Sequence, residues 1–412
     1  MPRAILLLAA LAVFCSAAPA VSRGEDRVAP ARISEDDLNA FDQLMQDFLK
    51  EHQGVGGSLA VAKDGEIVYA KGFGMADVDA GEKVRAESRF RIASISKPIT
   101  AAGVLLLVRD QKLTLDSKVV ELLGLDCKDP RWSRITIRHL LQHSGGWDRD
   151  VSYDAMFRSV QIAESLGKTP PATAEQVIEY MSQQPLDFDP GQRYAYSNFG
   201  YCLLGRVIER LSKLDYETFT KQRVLAPMGI RRMQIGRTLP AHRAANEVRY
   251  YDDSAETRSS VFPPVGEQVP GPYGAWHLEA MDSHGAWIGS ASEVCLFGAK
   301  LGELLRPEEI QHSFARPAQP LWSDPDQQKY FYGFGWLVRP VQHSNPVAPH
   351  NTWHTGSLPG TGTLLVRRWD GFSWAVLFNK RNSAINGERL TSLIDPKLHE
   401  VADQVKSRAA AP

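Results

Sequence analysis

Two Asp-Gly dipeptides constrain the fold of this chain more than any other feature. Asp64-Gly65 and Asp370-Gly371 are the residue pairs that most strongly indicate a tight turn between antiparallel strands. Each dipeptide separates two short runs that are rich in strand-forming residues, and these runs span 58–63, 67–74, 362–369 and 372–379. The sequence therefore predicts one β-hairpin near each end of the chain.

The long segment between the hairpins is mostly helical in pattern. Apolar residues recur at helical spacing in the segments 101–108, 119–123, 137–142, 173–183, 199–213 and 217–224. The stretch 240–285 is irregular and rich in Pro, Gly and Tyr, which predicts surface loops of the kind that often carry function. Further elements are predicted closer to the ends, namely a helix capped by Ser34, a strand at 332–338 and a helix at 388–405.

Strands at both ends with helices between them predict an α/β fold of the α+β kind. We expect a mainly antiparallel sheet flanked by helices, with strands from both ends of the chain. The sheet domain would comprise 33–93 and 286–408, and 94–285 would form a mostly helical inserted subdomain.

The first residues have the pattern of a secretory signal peptide. Arg3 precedes an apolar run, 4–14, and small residues follow up to Ala18-Pro19-Ala20, which matches an A-x-A cleavage site. We expect a signal peptide at 1–20, a flexible lead at 21–32 and a secreted or periplasmic protein. The apolar run is shorter than the roughly 20 residues that span a bilayer, so no membrane anchor is expected.

Composition excludes several classes of function. The formal net charge is −1, so no excess of positive charge favours nucleic acid or an anionic membrane. Cys127, Cys202 and Cys295 remain after the predicted cleavage, and an odd, sparse set does not describe a disulfide framework. We expect buried free thiols, although a disulfide among the three stays open, and the cysteines are too scattered for a zinc site.

Ser94 and Lys97 form a Ser-x-x-Lys motif where an extended run passes into a helix. Residues three apart on a helix share a face, so this spacing brings a hydroxyl and an amine together. Serine needs a neighbouring base to become a good nucleophile, and lysine can be that base when its surroundings lower its pKa. Pro98 is tolerated only in the first turn of a helix, so the helix begins near Ser94 and its dipole favours an alkoxide there.

Tyr196 and Asn198 follow a turn at 190–192 and precede a helix. A loop in this position can present both side chains to a cleft. A tyrosine hydroxyl can transfer a proton, and its pKa falls beside cations, whereas an asparagine amide can donate and accept at once. In isolation, a turn whose tyrosine packs on the core is the favoured interpretation.

His354, Thr355 and Gly356 open a predicted strand and lead into Ser357. Gly356 has no Cβ, so a ligand or another backbone can approach it closely. The N–H of Ser357 could point into such a cleft and stabilise an oxyanion. In isolation, a glycine-rich turn before a strand explains the same residues.

The three motifs together carry more information than each motif alone. They occur in the order Ser-x-x-Lys at 94–97, Tyr-x-Asn at 196–198 and His-Thr-Gly at 354–356. With them the chain resembles the serine β-lactamase and penicillin-binding protein superfamily. It is most similar to the class C β-lactamase branch, with its related D-alanyl-D-alanine carboxypeptidases, D-aminopeptidases and esterases. The resemblance extends from about residue 34 to 381, and the fold that it implies matches the one predicted above.

This resemblance implies a role for each motif residue. Ser94 would attack a carbonyl and form an acyl-enzyme, while Lys97 and Tyr196 would move the proton between nucleophile, leaving group and water. The backbone N–H groups of Ser94 and Ser357 would form the oxyanion hole. Asn198 would hold the amide of the substrate.

His354 and Thr355 would face the carboxylate of the substrate or an equivalent group. Class C β-lactamases usually have a lysine in place of this histidine, and lysine is a permanent cation. Histidine has an unperturbed pKa near 6.5 and is mostly neutral at pH 7 unless a carboxylate raises that pKa. This departure weakens the case for an efficient β-lactamase, and we expect the activity to depend on the charge of His354.

The sequence therefore predicts a secreted serine hydrolase that acts through an acyl-enzyme on an ester, amide or D-amino-acid peptide. Two alternatives stay open: a β-lactamase or D-alanyl-D-alanine carboxypeptidase proper, and a penicillin-recognising receptor that is acylated without turnover. The expected partner is a small-molecule or peptide substrate, with no cofactor, no metal and no nucleic acid. The oligomeric state is not predicted.

Other candidate sites are weaker. His139 and His143 are four residues apart, but the glutamate of a His-Glu-x-x-His zinc motif is missing, so structural roles are favoured. No Gly-x-Ser-x-Gly sequence occurs, which disfavours an α/β-hydrolase. Asp148 and Arg149 are expected to form a surface ion pair, although they could also line the mouth of a cleft. Three tryptophans are expected in the core or a cleft wall, namely Trp276, Trp287 and Trp353.

Overall fold

The computed structural model describes residues 33–252, 257–318, 329–341 and 350–409. The predicted signal peptide at 1–20 and the lead at 21–32 lie outside these residues. Among the helices of the described part of the chain, none combines the length and the apolar character that crossing a bilayer requires.

Helices in the described residues are labelled in chain order. They are α1 Glu35–Glu51, α2 Ser96–Arg109, α3 Val119–Leu123, α4 Ile137–Leu141, α5 Ser159–Ser165, α6 Ala174–Ser182, α7 Asn198–Ser212, α8 Tyr216–Thr220, α9 Ala291–Ala299, α10 Leu301–Leu304, α11 Pro307–Ser313 and α12 Leu390–Ala409. Short 3-10 helices include Ala93–Ile95, Pro130–Arg134 and Ala155–Phe157.

Strands in the same residues are labelled likewise. They are β1 Gly56–Lys63, β2 Glu66–Asp77, β3 Glu82–Lys83, β4 Phe90–Arg91, β5 Gln234–Ile235, β6 Thr257–Ser259, β7 Gln268–Pro270, β8 Trp287–Gly289, β9 Phe331–Tyr332, β10 Leu337–Pro340, β11 His350–Leu358, β12 Thr361–Arg367 and β13 Phe372–Phe378.

The predicted sheet with strands from both ends of the chain is confirmed. Its described strands pair in the order β3-β2-β1-β13-β12-β11-β10-β9, so the first hairpin lies directly beside the last. Strands β1 and β13 are antiparallel, with Ala60 opposite Ala375. Asp64 and Gly65 both adopt positive φ angles, +51° and +88°, as the tight turn of the first hairpin requires.

Helices cover both faces of this sheet, and each face has its own apolar cluster. Successive side chains of a strand point to opposite faces. Leu59 and Val61 therefore pack with apolar residues of α1 and α12 on one face, and Ala60 and Ala62 belong to the cluster on the other face. That second cluster includes residues of α2, α7 and α9, so the sheet is joined to the helical part by continuous packing. The division into a sheet domain and a helical subdomain stays a prediction.

The structure corrects the predicted position of two strands. The predicted strand 332–338 is two strands, β9 and β10, separated by a turn in which Gly335 has a φ angle of +78°. The residues His354 to Gly356 do not open a strand but lie in the middle of β11, paired with Thr363 to Leu365 of β12. Pattern alone did not reveal the beginning of β11, because His350 and Asn351 are polar.

The expectations for the tryptophans are met, and those for the cysteines are met except that Cys127 is only partly buried. Cys127, Cys202 and Cys295 are free, and the last two are buried. Trp276 and Trp287 lie in the core, and Trp353 packs against the cluster between the sheet and α1.

Candidate active site

Ser94 lies in the sharp connection between β4 and α2. The 3-10 helix Ala93–Ile95 makes this connection, and α2 begins at Ser96 with Pro98 in its first turn, so the predicted start of the helix is confirmed. Ala93 has a φ angle of +47°, a left-handed conformation that costs energy for a residue with a Cβ. The hydroxyl of Ser96 donates to the carbonyl of Ala93 at 2.7 Å and supports the turn. A strained turn therefore places Ser94 next to the start of α2.

Lys97 is fully buried beneath Ser94. Its Nζ lies 3.0 Å from Ser94 Oγ, 2.8 Å from Asn198 Oδ1 and 3.0 Å from the carbonyl oxygen of His284. Burial lowers the pKa of Lys97 well below its ordinary value, a nearby aspartate, Asp154, opposes this shift, and Arg149 adds to it. A lysine with such a lowered pKa can be a neutral amine, which is able to accept a proton.

Tyr196 contacts Ser94 from another direction. Its hydroxyl donates to Ser94 Oγ at 2.8 Å, and its ring lies 4.8 Å from Lys97 Nζ. We expected neighbouring cations to lower the pKa of this tyrosine, but the pKa is raised, because burial is the largest cause of the shift. Arg149 opposes the shift only in part. Tyr196 is therefore a protonated phenol that can donate but does not begin as a base.

The third predicted segment approaches the Ser94 turn along β11. A Cβ on Gly356 would lie 2.2 Å from the carbonyl oxygen of Ile92 and 2.2 Å from Thr363 Oγ1. The sequence predicted that a ligand or another backbone approaches Gly356 closely, and the structure shows that the backbone of Ile92 does so. The strand thereby holds Thr355 and Ser357 at the cleft that contains Ser94.

His354 lines the same cleft but is nearly buried, with 3% of its surface exposed. Burial lowers its pKa to about 3, and Lys97 contributes to this shift. His354 is therefore neutral across the ordinary range of pH, and the expectation that activity depends on its charge is not supported. The electrostatic role of the lysine in class C β-lactamases is not available to this residue.

One cleft brings the predicted residues together. A cavity of about 480 Å³ is lined by Ser94, Tyr196, Asn198, His354, Thr355 and Ser357, with Lys97 beneath its floor. Four arginines also line it, and no aspartate or glutamate does so among the described lining residues; the arginines are Arg149, Arg258, Arg381 and Arg389. A larger cavity of about 870 Å³ next to α6 and α7 contains none of the predicted residues, so size alone does not identify the site.

Several residues near the reacting groups were not predicted from the sequence. Asp154 accepts a hydrogen bond from Asn198 Nδ2 at 2.6 Å. Tyr332 contacts His354, with its hydroxyl 3.0 Å from Nε2. His284 supplies a carbonyl to Lys97. In the sequence, nothing distinguishes Asp154 from other polar residues between the helices predicted at 137–142 and 173–183.

The contacts of Asp148, Arg149 and His143 show what these weaker candidate residues do in the structure. Arg149 does not pair with Asp148 as expected: Asp148 pairs with Arg193 at 2.6 Å, and the guanidinium carbon of Arg149 lies 5.1 Å from the ring centroid of Tyr196. Nδ1 of His143 accepts from the N–H of Ser197 at 3.1 Å. Within the described residues no group of three or more His, Cys, Asp or Glu side chains is arranged to hold a metal ion.

Comparison with known proteins identifies the family. A family model described as Beta-lactamase matches residues 41–395, which is most of the chain. The chain belongs to the beta-lactamase family. This match includes all the motif residues that line the cleft.

Similar proteins show how varied the relatives of this beta-lactamase family member are. It is 39% identical over 181 residues to the probable fimbrial assembly protein FimD, serogroup H1, of Dichelobacter nodosus, a match that covers 43% of each chain. The chain thus spans less than half the length of that relative. It is 27% identical to esterase EstB of Burkholderia gladioli over 86% of this chain and 93% of the esterase, and 26% identical to penicillin-binding protein 4* of Bacillus subtilis over 80% and 68%.

Solved structures support the fold of this family member. The D-amino acid amidase from Ochrobactrum anthropi SV3 superimposes with a TM-score of 0.69 at 21% identity, covering 90% of this chain and 99% of the amidase. The hydrolase EstCE1 superimposes with a TM-score of 0.67 at 22% identity, covering 90% and 100%. At this level of identity the likeness shows a shared fold, in agreement with the predicted sheet and helices.

Proposed function

We propose that this protein is a serine acyl hydrolase that acts on an ester, an amide or a D-amino-acid peptide through an acyl-enzyme. The observation that carries the proposal is the position of Ser94 Oγ, which lies 3.0 Å from Lys97 Nζ and 2.8 Å from the hydroxyl of Tyr196. A nucleophile within hydrogen-bond distance of both a base and a donor is the arrangement that covalent acyl transfer requires.

Each group has a defined role in the proposed reaction. Neutral Lys97 takes the proton of Ser94 while Oγ attacks the carbonyl carbon of the substrate. The backbone N–H groups of Ser94 and Ser357 stabilise the oxyanion that forms. Tyr196 then donates its proton to the leaving group, and the bond to that group breaks to leave the acyl-enzyme. The tyrosine regains a proton from Lys97.

Deacylation repeats these steps with water in place of Ser94. Neutral Lys97 accepts a proton from the attacking water and returns it to Ser94 Oγ, which leaves as the alcohol. Asn198, His354 and Thr355 would bind the substrate beside these groups. Since His354 is buried and neutral, it forms part of the wall of the cleft and adds no charge to it.

The charge of the cleft supports a preference among substrates. Four arginine side chains line it, and this concentration of positive charge contrasts with a formal net charge of −1 for the whole chain. A cleft lined by one sign of charge attracts ligands of the opposite sign. We therefore propose that substrates with a carboxylate or a similar anionic group react faster than neutral ones.

The direct test is intact-mass analysis after incubation with three probes: a p-nitrophenyl ester, a β-lactam and a peptide that ends in D-Ala-D-Ala. A transient adduct on Ser94 with product release from the ester or the peptide would support the proposal, and the probe that is consumed would define the substrate class. A stable adduct without product would favour the receptor alternative. Rapid β-lactam hydrolysis would favour a β-lactamase, and no adduct with any probe would overturn the proposal.

The proposed location is outside the cytoplasm. Support comes from Arg3, the apolar run 4–14 and the small residues up to Ala20. Amino-terminal sequencing of the mature protein from a culture of the source cells would show a start after Ala20 or close to it. An intact Met1 in the mature protein would contradict secretion.

A further inference from the structure

Asp154 has no place in the three motifs, yet it is joined to the reacting groups through one side chain. Its Oδ2 accepts from Asn198 Nδ2 at 2.6 Å, and its Oδ1 accepts from the backbone N–H of Met156 at 3.1 Å. The second contact caps the 3-10 helix Ala155–Phe157. Asn198 in turn places Oδ1 at 2.8 Å from Lys97 Nζ. A continuous chain of polar contacts therefore runs from Asp154 to Ser94.

The chemistry of Asp154 determines which way the Asn198 amide faces. An ionised carboxylate has only acceptors, so the group that it contacts must be a donor. Burial raises the pKa of Asp154, but both of its oxygens face N–H groups, and these hydrogen bonds lower the pKa and stabilise the ionised form. The amide NH₂ of Asn198 therefore faces Asp154, and its carbonyl oxygen must face the opposite way, towards Lys97.

The orientation of that amide determines the orientation of the base. A neutral lysine amine has two N–H donors and one lone pair. Two of its three close neighbours, Asn198 Oδ1 and the carbonyl oxygen of His284, can only accept, so they take both N–H groups. The lone pair is then directed at the third neighbour, Ser94 Oγ, at 3.0 Å. If the Asn198 amide were reversed, its NH₂ would compete with Ser94 for the lone pair.

We propose that Asp154 is a positioning residue that holds the Asn198 amide in one orientation and thereby directs the lone pair of Lys97 at Ser94. This inference rests on the proposed acyl-transfer role of Ser94. Asp154 acts through Asn198 and takes no proton from the substrate or the nucleophile.

The negative charge of Asp154 also affects the pKa of Lys97, which gives the proposal a second measurable consequence. Burial lowers the pKa of Lys97, the charge of Asp154 raises it, and the charge of Arg149 lowers it further. Burial also lowers the pKa values of the three histidines near Lys97, so they stay neutral. The titratable groups that face Lys97 are Arg149, Asp154, His143, His284 and His354, together with the hydroxyl-bearing rings of Tyr196 and Tyr201.

The test measures the rate at which a fluorophosphonate labels Ser94. Intact-mass analysis monitors the labelling at pH values from 4 to 10. In this reaction the Ser94 Oγ–P bond forms, the P–F bond breaks, fluoride leaves and Lys97 takes the hydroxyl proton. Asp154→Ser keeps a cap for the 3-10 helix but cannot reach Asn198, since serine is a good N-cap with a shorter side chain. We expect labelling to slow about 10- to 100-fold, because the base is no longer directed at Ser94.

The same variant should shift the pH profile. Removal of the negative charge lowers the pKa of Lys97. The neutral amine then persists to lower pH, and the acid limb moves to lower pH. Damage to the fold alone would slow labelling without that shift. Asp154→Asn, which has the same size but only one acceptor oxygen, provides the test if the serine variant does not fold, and it should shift the limb in the same direction.

Asp129 offers a matched control. It caps another 3-10 helix, Pro130–Arg134, by accepting from the N–H of Arg131 at 2.9 Å. Asp129→Ser should lower stability yet leave the acid limb in place. An unshifted limb in both Asp154 variants, or an equal shift in Asp129→Ser, would overturn the inference. If the wild-type protein is not labelled at Ser94 at all, the proposed function fails. If the wild type is labelled but the acid limb is the same in the Asp154 variants, only the inference about Asp154 fails.

Discussion

The hydroxyl of Tyr332 lies 3.0 Å from Nε2 of His354, and this contact helps to identify which ring nitrogen of the neutral histidine carries the proton. Nδ1 of the same ring lies 2.7 Å from the carbonyl oxygen of Thr355, which can only accept. Nδ1 therefore carries the proton, and Nε2 accepts from Tyr332. Both ring nitrogens are satisfied in the neutral form, so a second proton would displace the Tyr332 contact as well as place a charge in a buried position.

This arrangement makes the protein sensitive to acid. Burial lowers the pKa of His354 to about 3, whereas an unfolded chain has a histidine pKa near 6.5. Between these two values the unfolded chain binds a proton that the folded protein excludes, so the contribution of His354 is complete above about pH 6.5 and is lost as the pH falls towards 3. His354→Gln should reduce the slope of unfolding free energy against pH in this window by about 1.4 kcal/mol per unit. Urea unfolding at pH 4.5, 5.5 and 6.5 measures the slope, and equal slopes in both proteins would contradict the prediction.

Ser94→Ala should abolish hydrolysis without unfolding the protein. The variant lacks the nucleophile, and such a loss typically lowers kcat by several orders of magnitude, about 10⁴-fold or more. The hydroxyl supports no secondary structure, so the thermal midpoint should stay close to that of the wild type. Hydrolysis of a p-nitrophenyl ester and a thermal melt measure both properties. A folded variant with full activity would remove Ser94 from the mechanism.

Tyr196→Phe should slow reactions in proportion to the basicity of the leaving group. The variant loses the donor that lies 2.8 Å from Ser94 Oγ. A positioned acid contributes roughly 10² to 10⁴ in rate when the leaving group needs a proton, so an amide should lose far more activity than a p-nitrophenyl ester. Tyr201→Phe is the control, because it removes another buried hydroxyl, one that donates to the carbonyl of Leu141 at 2.9 Å. Equal losses for both substrates would argue against proton donation by Tyr196.

The fold and the motif residues could be predicted because they depend on residues that are close together in the sequence. The turn at Asp64-Gly65 depends on the residues within it, and the Ser94–Lys97 pair depends on the geometry of one helical turn. The contacts of Asp154 and His354 depend on chain segments far away in the sequence, so nothing in their own neighbourhood reveals them. Tyr196 shows the same limit, because its pKa follows from burial by the whole fold, which outweighs the neighbouring cation that local reasoning emphasised.

Removal of cleft arginines should selectively slow anionic substrates. Arg258 and Arg389 line the cleft and are exposed, so their effect on a ligand is screened by salt. The double variant Arg258→Gln, Arg389→Gln should lower kcat/KM for p-nitrophenyl hemisuccinate about 3- to 10-fold at low ionic strength, with little change for p-nitrophenyl acetate. The difference should shrink in 0.5 M NaCl. An equal loss for the two esters would show that charge does not select the substrate.

Gly356→Ala should separate β11 from the turn that holds Ser94. The added Cβ would lie 2.2 Å from the carbonyl oxygen of Ile92, a backbone atom that cannot move without displacing the connection to Ala93 and Ser94. Overpacking of this kind costs about 1 to 3 kcal/mol, and movement of β11 would also shift the N–H of Ser357 away from the developing oxyanion. Gly302→Ala is the matched control, because its Cβ would meet no atom closer than 3.8 Å and it lies in α10. Urea unfolding and ester hydrolysis should show a loss of stability and of kcat in the first variant and neither loss in the second. A Gly356→Ala protein with wild-type kcat would mean that the position of β11 does not control catalysis.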